Sequence, residues 1–213
     1  MTINGQNGLK AYYDVYAKDM NAVYYVKNTT NIIMDNIGDI SKIDASNQNG
    51  LFRSFEGLVS VKASNLSGTI SKGAFNQCYN LGSFNESGNY KYIIPESVTT
   101  ISDEAFAEAG KNVADGFSAN VESGIISKDA FQNSGLREIN LPNATTIEEG
   151  AFTSCAKLTK VTLGQNDVDV VGNAFDSTAK TIYVNNEKLK NKLTEIFEKT
   201  IKDTKIKVEL IQK

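Results

Sequence analysis

The sequence predicts an α/β solenoid of about five to six stacked coils, each supplying a short parallel strand, with an N-terminal cap and a C-terminal amphipathic helix and strand. Three observations point there. The pair Ala-Phe recurs at Ala74-Phe75, Ala105-Phe106, Ala130-Phe131, Ala151-Phe152 and Ala174-Phe175, and a β-branched aliphatic (Ile70, Ile101, Ile126, Ile147, Val170) stands four residues before each alanine. From Phe52 onward the spacings between the repeated phenylalanines are 23, 31, 25, 21 and 23 residues. Leu136-x-x-Ile139-x-Leu141 and Leu158-x-x-Val161-x-Leu163 alternate with period 2, as strands with one buried face do.

Periods in the twenties belong to leucine-rich repeats, in which every turn of the chain supplies one short parallel strand. One such coil cannot bury its own Ile, Ala, Phe and Leu. Stacking coils at about 4.8 Å joins those side chains into a continuous ladder. Ala is small where the next coil's backbone passes close, and Phe fills the centre.

Taken in order, residues 1–50 are expected to form an N-terminal cap. Leu9, Tyr12, Tyr13, Tyr16 and Met20 share one helical face, Val23-Tyr24-Tyr25-Val26 has strand character, and Ile37, Ile40 and Ile43 hint at a divergent coil. The array is placed at 51–184. Phe52 opens a degenerate copy, with Phe55, Leu58 and Val61 following, and Phe75 is followed by Cys78, Leu81 and Phe84. The copy after Phe131 runs one residue short, and Phe106 to Val121 lacks a Leu-x-x-Ile strand, so an irregular coil is expected there.

The spacing from Phe75 to Phe106 leaves an insertion, Ser83 to Tyr92. It suits either a loop presenting Tyr90 and Tyr92 or a β-hairpin excursion in which those tyrosines are structural. Phe84, Tyr90 and Tyr92 are the candidate partner-binding residues, because inserted segments of solenoids loop out on one face and tyrosine offers large area at low entropic cost.

Residues 185–213 are expected to close the C-terminal end. Asn185-Asn186 offers an N-cap, Glu187 suits the first turn, and Leu189, Leu193, Ile196, Phe197 and Ile201 recur at helical spacing. Ile206, Val208 and Leu210 then alternate as a closing strand. Lys188, Lys190 and Lys192 read as the solvated face of that helix.

The template Leu-x-x-Ile-x-Leu-Pro-x-x-x-Thr-x-Ile-x-x-x-Ala-Phe-x-x-Cys resembles the BspA-type leucine-rich repeats of bacterial surface proteins. Leu136, Ile139, Leu141-Pro142, Thr145, Ile147, Ala151-Phe152 and Cys155 match it best, with one residue missing after Pro142. Ile94-Pro95, Val98, Thr99, Ile101 and Ala105-Phe106 match its second half. The resemblance spans about Phe52 to Val184. It implies a non-catalytic binding module, secreted or on the cell surface, that recognises protein or glycan macromolecules of host or bacterial surfaces in the manner of an adhesin.

Composition bounds the alternatives. The 213 residues are 40% hydrophobic and 22% charged, ordinary for a folded soluble chain. A net charge of −3 and no dense basic run argue against nucleic acid as the main partner. No run of 18 apolar residues predicts a membrane span. Met1 to Gly8 lacks a signal peptide's charged start and apolar core. Either the protein works in the cytoplasm, as an interaction scaffold or regulator, or Met1 stands in place of a native leader.

No catalytic residue, cofactor or metal site is expected. The chain has no histidine, which removes Ser-His-Asp and Cys-His catalysis, and it has no phosphate-cradling glycine loop. Asp103-Glu104 and Glu148-Glu149 precede Ala-Phe pairs and read as solvated loop residues. Asp167-Val168-Asp169 is too sparse for a calcium loop. Cys78 and Cys155 hold the same slot three coils apart, about 15 Å by rung spacing and too far to bridge, so both are expected as buried thiols.

Overall fold

Each repeat becomes one coil with three walls. The computed structural model describes residues 1–12, 14, 29–39, 50–63, 65–84, 91–94, 96–164, 167–176 and 180–211. The first wall is a ten-stranded parallel sheet of β1 (Thr2–Asn4), β2 (Asn31–Asp35), β4 (Ser60–Lys62), β6 (Ser83–Phe84), β7 (Lys91–Ile94), β9 (Phe117–Val121), β11 (Leu136–Leu141), β13 (Lys160–Leu163), β15 (Lys180–Val184) and β16 (Ile206–Leu210), neighbours in that order. The second is a six-stranded parallel sheet of β3 (Gly38–Asp39), β5 (Leu66–Ile70), β8 (Val98–Ile101), β10 (Ile125–Ile126), β12 (Thr146–Ile147) and β14 (Asp169–Val170). Its register aligns Ile70, Ile101, Ile126, Ile147 and Val170, the aliphatics that precede each Ala-Phe pair.

The third wall is built from the Ala-Phe turns. The amides of Phe52, Phe75, Phe106, Phe131 and Phe152 donate to the alanine carbonyl of the next coil at 2.7–2.9 Å. Two residues after the phenylalanine, Ser54, Gln77, Glu108, Asn133 and Ser154 adopt positive φ. That conformation turns the amides of Ser54, Gln77, Glu108 and Asn133 to the carbonyl after the next coil's Phe, at 2.8–2.9 Å. Asparagine tolerates this backbone region, whereas glutamate adopts it at a cost of roughly 1–2 kcal/mol. Inter-coil bonding outweighs local preference at Glu108.

Inside the walls the phenylalanine rings stack. Phe52, Phe75, Phe106, Phe131, Phe152 and Phe175 lie 5.1–5.6 Å apart between successive centroids, with interplanar angles of 5–24°. Tyr12 ends the stack at one side, 5.2 Å from Phe52, and Phe197 meets Phe175 edge-on at 5.8 Å. A helix and a strand stand at each end of the stack. Helix α1 (Gly5–Tyr12) follows β1, and Tyr12 donates to the Leu51 carbonyl. At the other end, helix α2 (Glu187–Thr200) buries Leu189, Leu193 and Phe197, and Asn186 caps it by accepting from the Leu189 amide at 2.8 Å. Strand β16 then pairs in parallel with β15. Tyr13, Tyr16, Met20, Val23–Val26, Ile40 and Ile43 lie outside the described residues.

Two expectations are corrected. The stretch from Phe106 to Val121 ends in a regular five-residue strand, β9, with Phe117, Ala119 and Val121 buried. Its pairing with β11 sets Phe117 opposite Leu136 and Ala119 opposite Ile139, with a bulge after Leu136. The template residue missing from β9 is absorbed by that bulge, which is why a fixed Leu-x-x-Ile pattern misses this strand. The insertion is likewise not a hairpin. Strands β6 and β7 pair in parallel, Phe84 opposite Tyr92, and occupy successive rungs between β4 and β9. In the second sheet β5 and β8 are direct neighbours, so the first sheet has one rung more than the second at this coil.

Candidate binding surface

The alternation that buries one face of the first sheet leaves two rows pointing away from the core. One row runs Ser118, Glu138, Lys160, Thr181, Lys207 through β9, β11, β13, β15 and β16; the other runs Asn120, Asn140, Thr162, Tyr183, Glu209. These ten side chains stand on five rungs spanning about 19 Å. Over β9, β11 and β13 they line a shallow trough of about 450 Å³, bounded by Ser118, Asn120, Glu138, Asn140, Lys160 and Thr162. A second hollow of about 400 Å³ continues it past Lys160 and Thr162 to Tyr183 and Glu209.

Some of these groups are tied to one another. Asn140 Nδ2 donates to Asn120 Oδ1 at 2.6 Å, and Asn120 Nδ2 donates to Glu122 Oε1 at 3.0 Å, which fixes both amides in line across the rungs. The Lys160 ammonium lies 5.3 Å from the centroid of the Tyr183 ring and is exposed. Glu138 meets Arg137 only at 3.8 Å. Ser118, Thr162 and Tyr183 are half-buried, with their polar ends on the outward rows.

The acidic pairs elsewhere serve the turns. Glu149 bonds Lys128 Nζ at 2.9 Å and Asn173 Nδ2 at 3.1 Å, and the lysine holds its carboxyl below the usual glutamate range. Glu148 accepts from the Lys128 amide at 3.0 Å. Asp129 is pushed up, first by desolvation, and accepts from Gln132 at 2.9 Å. Asp167 receives both Lys188 and Lys192 at 3.2 Å, which lower its pKa and tie helix α2 to the last coil. Lys188 is exposed, as the solvated face read from the sequence has it, and Lys192 is half-buried; both pair with Asp167 at the surface. Among the described residues no three His, Cys, Asp or Glu side chains group as metal ligands.

Both cysteines are free and buried. Cys78 Sγ donates to the Phe52 carbonyl at 3.2 Å and Cys155 Sγ to the Phe131 carbonyl at 3.0 Å, each reaching the preceding coil. Burial pushes the Cys78 thiol far up and the Cys155 thiol up to about 11.

Of the residues singled out from the sequence, Tyr90 lies outside the described residues. Phe84 and Tyr92 are placed by backbone register, in the row that holds Ile32, Val61, Ala119, Ile139, Val161 and Ile182 on the other rungs. Those six are all buried. The outward rows escaped the sequence reading because polar residues alternating along a strand mark any wetted face. Only the register between coils shows that Asn120, Asn140, Thr162 and Tyr183 fall in one line.

No helix among the described residues is long and apolar enough to cross a membrane. A family model described as a BspA type leucine-rich repeat region matches in six copies, over residues 10–109 and 82–207. No curated protein and no solved structure matches the chain.

Proposed function

The chain belongs to the BspA-type leucine-rich repeat family, and on that premise we propose that it is a secreted or cell-surface adhesin-like module that binds host or bacterial surface macromolecules through the outward face of its ten-stranded sheet. The single observation that carries the location is the trough across β9, β11 and β13, where hydrogen-bonding side chains from three rungs line one concavity and Asn120 and Asn140 hold each other in line. A solenoid presents such a face as a rigid platform, so little conformational entropy is lost when a partner docks. Family membership supports the binding role, and the trough supports this face over the turn wall, whose acids are engaged by Lys128, Asn173 and backbone amides.

The test is biolayer binding of the intact chain to extracellular-matrix proteins, plasma proteins and glycans. A Glu138→Ala/Lys160→Ala variant and a Tyr90→Ala/Tyr92→Ala variant run beside it, each checked for an unchanged melting transition. Saturable binding lost in the first variant supports the proposal. Binding lost only in the second moves the site to the insertion, and no binding across the panel removes the adhesin reading.

A further inference from the structure

The trough is specific enough in chemistry to name its occupant class. Resting on the reading that this face binds, we infer that the outward rows of β9 to β15 form a site for a neutral, linear polysaccharide lying across the strands.

Charge comes first. The charged residues lining the two hollows are Glu138, Glu209 and Lys160, two carboxylates against one ammonium. A polyanion such as heparin or nucleic acid gains nothing from that balance, since such ligands are held by clustered cations that release counterions. Apolar content comes second. Protein partners are anchored mainly by Trp, Tyr and Arg seated in desolvated pockets. Tyr183 is the one aromatic in the lining, Leu210 and Ile211 add aliphatic surface at its far end, and there is no arginine or tryptophan.

What remains is a line of uncharged hydrogen-bonding groups that repeats at rung spacing. Asn140, which lines the trough, spends one amide hydrogen on Asn120 and has a carbonyl oxygen and a second hydrogen besides. Thr162 follows on the next rung and the Tyr183 hydroxyl on the one after. Each of these groups both donates and accepts, which suits sugar hydroxyls that do the same. The Lys160 ammonium lies over one face of the Tyr183 ring, 5.3 Å from its centroid, so the C–H face of a pyranose packs on this ring by displacing that side chain or by taking the other face. A chain running across the strands meets one such group per rung, and a repeating ligand suits a repeating surface. Rim charges contribute little, so the interaction is insensitive to salt.

Affinity electrophoresis of the full chain through gels containing hydroxyethylcellulose, galactomannan or laminarin tests this, with heparin, hyaluronan and gelatin gels alongside. The expected result is retardation by at least one of the three neutral polysaccharides, unchanged between low and high sodium chloride. An Asn140→Ala/Thr162→Val variant and a Tyr183→Ala variant, each with an unchanged melting transition, lose at least about tenfold in affinity, on the order of 1.4 kcal/mol. Failure of all three neutral probes overturns the inference, as does binding that survives both variants or appears only with the anionic probes. Binding to gelatin or matrix proteins that is lost in the Glu138→Ala/Lys160→Ala variant, without retardation by the neutral gels, leaves the binding face standing and removes the polysaccharide.

Discussion

Replacing Phe131 and its neighbours tests whether this fold is held by nearest-neighbour contacts between coils. Phe131 is fully buried, 5.3 Å from Phe106 at 5° and 5.6 Å from Phe152 at 10°. Truncation to Ala would remove about 3–5 kcal/mol, a large share of a domain's ~5–15 kcal/mol. Leucine is the usable replacement, because it keeps the site apolar while abolishing the ring contacts. Each aromatic pair contributes about 0.5–1.5 kcal/mol beyond its buried area, so Phe131→Leu loses two pairs, or roughly 1–3 kcal/mol. Phe152→Leu loses two as well, through Phe131 and Phe175, but the two variants share one pair.

The double variant should therefore be less destabilised than the sum of the singles by that one pair, about 0.5–1.5 kcal/mol. Phe75 and Phe131 are separated by Phe106 and share no pair, so Phe75→Leu and Phe131→Leu should add to within about 0.5 kcal/mol. Urea unfolding followed by circular dichroism and by tyrosine fluorescence gives the values, provided the two probes coincide. Equal coupling in the two cycles, or none in the adjacent one, would refute a stack held rung by rung.

Three further outcomes are expected. Asn186→Ala removes the cap of helix α2 and should cost about 1 kcal/mol, read from the urea midpoint at unchanged slope. The Asp167 carboxyl is held below its ordinary value by Lys188 and Lys192, so its stabilisation is fully present above the unfolded pKa and is lost as pH falls through the lowered folded value. Melting temperatures of wild type and Asp167→Asn should thus differ at neutral pH and converge in acid; a difference that persists in acid refutes that pairing. Finally, a thiol reagent at pH 8 should label neither cysteine of the native protein and both in denaturant, because the thiols are buried and their pKa values raised. Rapid native labelling would mean that the coils around Phe52 or Phe131 open.

Much of this architecture is legible in the amino-acid sequence alone. Ala-Phe recurring with an aliphatic four residues earlier disclosed the repeat, because coils can stack only if chemically equivalent residues meet. The expected coil had one strand, however, and the second parallel sheet through those aliphatics is a finding of the structure. The spacing of Leu189, Leu193 and Phe197 disclosed the cap helix, since an amphipathic stripe is a local property of the chain. Strand β9 was missed because it is one residue shorter than the template, a difference taken up by a bulge in its partner β11.

Other features were decided only by contacts between coils. That Ser83–Phe84 and Lys91–Ile94 become successive parallel rungs depends on which strands they meet. Lys157 reaches back to the carbonyls of Val113 at 2.5 Å and Lys111 at 3.3 Å, residues more than forty positions earlier in the chain. The outward rows belong to the same class. A core residue must recur in every repeat, because each rung buries it against the next, and so it leaves a period in the sequence. An outward residue is under no such requirement, and the line through Asn120, Asn140, Thr162 and Tyr183 exists only once register has set the strands side by side.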